Sequence, residues 1–280
     1  MEHRPEVLLV ECADRPGLVH GITGVLLRAG VNIISNHEFV DLELGRFFMR
    51  TAFEGPADGA ALGAEVLAAL PEGASAILRR SGRQRLVVLA TREHHCLADL
   101  LVRHAYAELG SEIVAVVSNH AHLRPLVEKF GVPFHCVPNE GLTQEAHEAA
   151  VAALIGPLRP DYLVLAKYMR LLSPGFVAAW RHRIINIHHS FLPAFTGARP
   201  YKQAFDRGVK VIGATAHFVT EQIDDGPIIV QQVIPVNHSH TPHDLAQAGR
   251  DIERNVLARA LRLVLESRVF LCGNRTIVFD

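Results

Sequence analysis

Two short stretches hold side chains that could act on a carbonyl. The first is Arg183 to Arg199, RIINIHHSFLPAFTGAR. An apolar strand ends there in Asn186-Ile187-His188. The two-residue period of a strand puts Asn186 and His188 on one side of it. In an open α/β sheet, ligands bind in the crevice beyond the carboxyl ends of the strands. An amide donor beside an imidazole at such an edge could hold a developing oxyanion and shuttle a proton. Two hydrogen-bonded polar residues that merely close a strand have the same sequence. His189-Ser190, the rigid Leu192-Pro193 and the turn at Thr196-Gly197 favour the chemical reading. The second stretch is Gly213 to Pro227, GATAHFVTEQIDDGP. It carries His217 in a long β run and Asp224 in the turn Asp224-Asp225-Gly226-Pro227. A carboxylate against His188 could orient the ring or activate water. Asp-Asp-Gly-Pro is equally an ordinary turn, and spacing alone does not bring Asp224 to Asn186 and His188.

A histidine-rich segment, Asn237 to His243, looks at first like a metal site. It lacks a second ligand group at a recognised spacing, and the chain has no His-Glu-x-x-His. It reads instead as the approach to a helix, with Thr241 as N-cap, Pro242 at N1 and Asp244 at N3. No metal is expected.

The elements that must hold these groups fall into two patterns. Residues 1–83 alternate as β-α-β-β-α-β, a ferredoxin-like order. Strands are expected at Val7–Val10, Val31–Val40, Arg46–Ala52 and Ala74–Arg79. A helix carries Leu18, Ile22, Val25 and Leu26 on one stripe and stops at Gly30, and a second runs Ala60–Leu70. An open sheet of this kind leaves edges that invite pairing with another copy. The polar stretch 81–85 marks the boundary. From 84 to 280 short apolar strands alternate with helices, which argues a mostly parallel central sheet covered on both faces. A β pair, Val209–Val219 and Ile228–Ile234, and a helix over Leu245–Glu266 close the chain.

Composition bounds the rest. The chain has 280 residues, 49% apolar and 20% charged, enough for a large core. A formal net charge of -1 predicts no nucleic-acid partner. Cys12, Cys96, Cys136 and Cys272 are scattered, a reduced, intracellular pattern. The first residues do not read as a signal peptide, and no uncharged run approaches the roughly 20 residues of a membrane span, so a cytoplasmic protein is expected.

The block Asn186 to Pro193, Gly213 to Val219 and then Asp224 resembles the folate-dependent formyltransferase family. Asn36 to Val40 with Gly45 to Arg50, Leu165 to Arg170, and Ile185 to Pro200 extend the resemblance over nearly the whole chain, closest to the deformylase branch that carries an ACT domain. The fold implied is α/β: an N-terminal ferredoxin-like ACT domain, then a formyltransferase-type α/β domain. The activity implied is hydrolysis of 10-formyltetrahydrofolate to tetrahydrofolate and formate without a cofactor, which adjusts the folate pool and supplies formate for purine synthesis. The catalytic residues implied are Asn186, His188 and Asp224, with His217 as a fourth member. Asn186 and His188 would hold the oxyanion. Asp224 would hold or deprotonate water, directly or through His217. Lys167, Tyr168, Met169, Arg170, Leu171 and Leu172 match the pterin-side loop, with Thr220 and Ile223 completing it and Arg199 and Lys202 as further anion contacts. Asp14, Arg15, Gly17 and Leu18 match the loop where ACT domains bind an amino-acid effector, methionine or glycine by analogy. A homo-oligomer through the ACT sheets is expected.

Transfer of the formyl group to an amine is the alternative. Relatives that formylate a ribonucleotide carry a Gly- and Ser-rich phosphate loop after the first strand of this domain. A phosphate cradle needs bare backbone N–H groups at a helix start. The same place here reads Ala90-Thr91-Arg92-Glu93-His94-His95-Cys96, with no glycine and an acid that would repel phosphate. That favours water; the plainer alternative is that Thr91 merely caps a helix beginning near His95 and Arg92 binds some other anion.

Overall fold

A computed structural model describes residues 5–55, 59–79, 82–194 and 200–280. Contacts divide the chain into two units, 1–82 with Val278–Asp280, and 83–277. The second domain expected at 84–280 therefore loses its last three residues to the first unit.

The first unit runs β1 (Glu6–Ala13), α1 (Leu18–Arg28), β2 (Asn32–Asp41), β3 (Arg46–Glu54), α2 (Gly59–Ala68) and β4 (Ser75–Arg79). The sheet order is β2-β3-β1-β4, antiparallel throughout. Helix α1 buries Leu18, Ile22, Val25 and Leu26 against Val10, Phe47 and Met49 of the sheet. It ends because Gly30, at φ 70°, turns left-handed. The Gly30 N–H then donates to the Leu27 carbonyl and that of Val31 to Leu26, satisfying carbonyls that a helix end leaves open.

The second unit runs β5 (Gln84–Ala90), α3 (His95–Ala105), β6 (Ser111–Ser118), α4 (Arg124–Glu128), β7 (Phe134–Cys136), α5 (Gln144–Ile155), β8 (Tyr162–Leu165), α6 (Pro174–Ala179), β9 (Ile184–His188), α7 (Pro200–Arg207), β10 (Val211–Phe218), β11 (Ile228–Pro235), α8 (Pro242–Leu265), β12 (Val269–Cys272) and β13 (Arg275–Val278). Its seven-stranded sheet has the order β11-β10-β9-β8-β5-β6-β7. From β9 to β7 the strands are parallel, and β10 pairs antiparallel with both β9 and β11. Leu86 to Ala90 are all fully buried, as a strand covered on both faces must be. The chain leaves β5 toward β6 and β7 and later returns to β8 on the other side, so β5 and β8 form the switch point where ligand crevices open.

Helix α8 starts with a capping box. Thr241 accepts from the Asp244 N–H, and the Asp244 side chain accepts from the Thr241 N–H. Helix α7 was not expected. Of its described residues only Ala204 is buried, so it leaves little apolar periodicity to read. Arg199 and the Thr196-Gly197 turn lie outside the described residues. No helix among the described residues is long and apolar enough to cross a membrane.

Candidate active site

Strand register assembles the cluster. Asn186 on β9 lies opposite His217 on β10, and His188 lies opposite Thr215. The Asn186 Nδ2 is 3.2 Å from His217 Nε2, and His217 Nδ1 is 2.9 Å from the Phe218 carbonyl. A carbonyl can only accept, so Nδ1 carries the proton and Nε2 accepts from the Asn186 amide. Burial pushes the His217 pKa down, against the Phe218 carbonyl and Asp224, which favours this neutral ring. The amide is thereby fixed with its nitrogen inward, and one N–H remains to donate elsewhere.

Asp224 arrives from the loop between β10 and β11. Val219 bonds to Ile184 at the start of β9, yet Asp224 Oδ1 is 3.2 Å from His188 Nδ1 at the strand's end. The loop therefore folds back along four residues of strand, about 13 Å. Asp224 sits at φ 55°, a left-handed backbone that only a few non-glycine residues adopt. Gly226 lets the turn close, because a Cβ there would overlap the Phe218 carbonyl oxygen. The hydrogen bond from His188 holds the Asp224 carboxyl below the usual range, against burial. Its distance to His217 Nε2 is 3.9 Å, too long for a hydrogen bond. His188 Nε2 is buried and has no hydrogen-bond partner among the described residues. Thr215 pins the segment after His188. Its hydroxyl donates to the Ser190 carbonyl at 2.9 Å and accepts from the Leu192 N–H at 3.1 Å.

These four residues line a cavity of about 550 Å³ together with Lys167, Tyr168, Met169, Arg170, Leu171, Leu172, Thr220 and Ile223. Met169, Leu171 and Ile223 are 59%, 61% and 66% exposed, an apolar rim open to solvent. Tyr168 instead packs into the core, and burial pushes its hydroxyl up to about 12. Lys167 lines the cavity, and its ammonium reaches Glu253 at 3.2 Å. Lys202 pairs with Asp206 four residues on and does not line the cavity. Thr91 is no helix cap. Its hydroxyl accepts from the Met169 N–H at 2.9 Å and its N–H donates to the Lys167 carbonyl, stitching the ends of β5 and β8 together.

In the first unit Gly17 is the N-cap of α1 at φ 87°. The Asp14 N–H donates to the Gly45 carbonyl at 2.8 Å, and Arg15 donates to the Ala69 carbonyl at 3.2 Å. Leu18, expected among the effector contacts, puts its side chain in the core.

Sequence reasoning missed a second polar cluster. Glu253 of α8 accepts from Tyr201 Oη at 2.6 Å on one oxygen and meets His95 Nε2 at 2.7 Å and Lys167 Nζ at 3.2 Å on the other. Burial raises its pKa, but His95, Lys167 and Tyr201 outweigh that and hold it at about 2. Gly249 makes room, since a Cβ there would overlap the Tyr201 ring. His95, Cys96 and Glu253 are metal-ligand types lying together, but the carboxylate is already matched by the ammonium. His189 sits between the clusters, its ring 4.9 Å from that of His188 and 6.4 Å from that of Tyr201. Burial, Lys167 and His188 push it down to about 4. A legible signal existed: Glu253 lies on the buried stripe of α8 with Gly249, Val256, Leu257 and Ala260.

Comparison with known proteins follows the same division. Residues 84–261 match the formyl transferase family and residues 7–71 the ACT domain family. The chain is 54% identical over 273 residues to the formyltetrahydrofolate deformylase of Escherichia coli, covering 98% of each. The crystal structure of a formyltetrahydrofolate deformylase from Pseudomonas syringae pv. tomato superposes with a TM-score of 0.95 at 40% identity, over 100% of this chain and 96% of that one. The glycinamide ribonucleotide transformylase 1 of Symbiobacterium toebii superposes with a TM-score of 0.68 at 32% identity, over 75% of this chain and 100% of that one.

Proposed function

We infer, for a chain that belongs to the formyltetrahydrofolate deformylase family and hydrolyses 10-formyltetrahydrofolate to tetrahydrofolate and formate, that Asn186, His188 and Asp224 carry the reaction and that His217 positions the amide. Water, not an amine, is the acceptor. Water held by the free side of the Asp224 carboxylate attacks the formyl carbon. The free N–H of Asn186 donates to the oxyanion. When His188 carries both protons, Nδ1–H donates to Asp224 and the otherwise unpartnered Nε2–H is left for the same oxyanion. The C–N bond then breaks, the folate nitrogen takes the proton that water gave to Asp224, and formate leaves. The route through His217 is disfavoured because Asn186 occupies its Nε2.

The observation that carries this reading is the 3.2 Å approach of Asp224 to His188 from a separate loop, inside the cavity that Asn186 also lines. Losing one oxyanion donor costs about 100- to 1,000-fold in rate. Formate release measured for Asn186→Ala, Asp224→Ala and the double variant tests it. Full turnover by the double variant would remove the mechanism.

The exposed Met169, Leu171 and Ile223 form the apolar wall for the pterin, with backbone groups reading its polar edge. The reaction as written needs no metal or cofactor, so chelators should leave the rate unchanged. The ACT unit takes an amino acid at Asp14, Arg15 and Gly17, where a left-handed glycine opens the start of α1. Titrating methionine and glycine into the full chain should shift the rate of formate release, and no response to either would reject the effector role. The open edges of the ACT sheet support a homo-oligomer, which sedimentation would count. We place the protein in the cytoplasm, where its formate feeds purine synthesis.

A further inference from the structure

The turn that carries Asp224 is held at more than one point. Its Pro227 carbonyl accepts from the Phe218 N–H of β10 at 2.9 Å. A further hold comes from the hairpin of β12 and β13 at the end of the chain. Gly273, at φ 60°, opens the two-residue loop between those strands, where a left-handed residue suits a tight hairpin. The other loop residue, Asn274, donates from Nδ2 to the Asp225 carbonyl at 2.9 Å. The Thr276 hydroxyl on β13 donates to the Ile228 carbonyl at 2.5 Å. Those two carbonyls bracket Gly226-Pro227, and Asp225 follows Asp224 directly. Ile228 opens β11, the edge of the seven-stranded sheet, where strand carbonyls face no neighbouring strand.

The far end of the same strand is anchored in the first unit. Residues 83–277 make up the second unit, and Val278–Asp280 pack with the first. There Phe279 is 9% exposed, its ring 6.0 Å from that of His37 on β2. We propose that Asn274 and Thr276 are positioning residues for the reaction. They hold the Asp224 turn so that its carboxylate stays on His188, and the packing of Phe279 keeps their strand in place. The proposal rests on Asp224 as the group that holds the attacking water. Asp224 sits at φ 55°, a backbone that persists only where its surroundings hold it. Its 3.2 Å approach to His188 joins a loop to a strand, so a small drift of the turn breaks it. No residue of β12 or β13 lines the catalytic cavity. The hairpin therefore acts on the formyl carbon only through Asp224.

The test measures kcat and KM of formate release per folded molecule, together with melting temperature, for Asn274→Ala, Thr276→Val, Thr276→Ser and Phe279→Ala in the full chain. Loss of one positioning hydrogen bond should lower kcat about threefold to tenfold in Asn274→Ala and in Thr276→Val. KM should stay near the native value, because the residues before Asp224 keep a separate bond from the Thr220 hydroxyl to the Gln222 carbonyl at 3.1 Å. Thr276→Ser retains the donor and should retain the native kcat. Phe279→Ala should lower kcat in the same sense although it lies in the other unit. A merely structural role would lower the melting temperature, leave kcat of the folded molecules alone and not separate valine from serine. Native kcat in folded Asn274→Ala and Thr276→Val, or equal losses in Thr276→Val and Thr276→Ser, overturns the proposal. Native kcat in folded Phe279→Ala overturns the anchoring by the first unit. Asn274 is exposed, so its variant carries the test if Phe279→Ala does not fold. Failure of the underlying reading is separate: it appears as undiminished formate release from Asp224→Ala.

Discussion

Asp224 and Glu253 are both ionised carboxylates bonded to a histidine, at opposite ends of a line of side chains through His188, His189 and Tyr201. Asp224 keeps 19% of its side chain exposed, rides on a loop in a left-handed backbone, and has a partner whose second nitrogen is unspent. Glu253 is 1% exposed, sits in the middle of a 24-residue helix, and has both oxygens bonded. The same chemical pair is reactive where its hydrogen bonds are left incomplete and inert where they are saturated. Saturation makes a charge part of the frame, whereas an unspent donor turns it into a tool.

That contrast breaks most sharply under truncation. Asp224→Ala should cut formate release about 1,000-fold or more, as loss of both an orienting and a proton-handling group, with little change in melting temperature. Glu253→Ala should do the reverse. Stranding Lys167 and His95 should cost about 3–5 kcal/mol of stability in denaturant unfolding, while formate release per folded molecule falls far less. Equal stability losses for the two variants would erase the distinction. Gly226→Ala tests whether backbone closeness serves the reactive end. Its Cβ must push the Phe218 carbonyl off His217, and a rate loss of about tenfold or more is expected from a displacement of this kind, with a lower melting temperature as well, because the clash is with buried backbone.

The smallest effect is in acid. Glu253 has its folded pKa lowered from 4.5 to about 2, so its contribution is complete above pH 4.5 and lost as pH falls toward 2. The stability gap between the native chain and Glu253→Gln should therefore narrow across that window. The gap for Asp224→Asn should narrow in the same sense as pH falls, because the hydrogen bond from His188 holds that carboxyl below its usual range. A gap for Glu253→Gln that is flat with pH would mean the buried charge contributes nothing.

Much of the reactive end was legible. Strand period put Asn186 and His188 on one side, and β9 holds them so. The apolar stripe of α1 and the cap of α8 also follow directly from residue type and spacing. Asp224 was legible only through resemblance, since nothing local says that a turn will fold back along a neighbouring strand. The Glu253 cluster was hidden because its partners come from α3, the end of β8 and α7, which meet only after the sheet has ordered its strands. Thr91 looked like a cap because a threonine four residues before a helix has local uses, and its actual partner, Met169, is 78 residues away.

The folded-back hairpin between β10 and β11 acts as a ruler. Its far end is tied to Ile184, and its reach to His188 is spent by the time it arrives at Asp224. Surface hairpins ordinarily accept an inserted or deleted residue. Here one residue more or fewer between Val219 and Asp224 would carry the carboxylate past its mark, so loop length is as much a part of the machinery as any side chain in it.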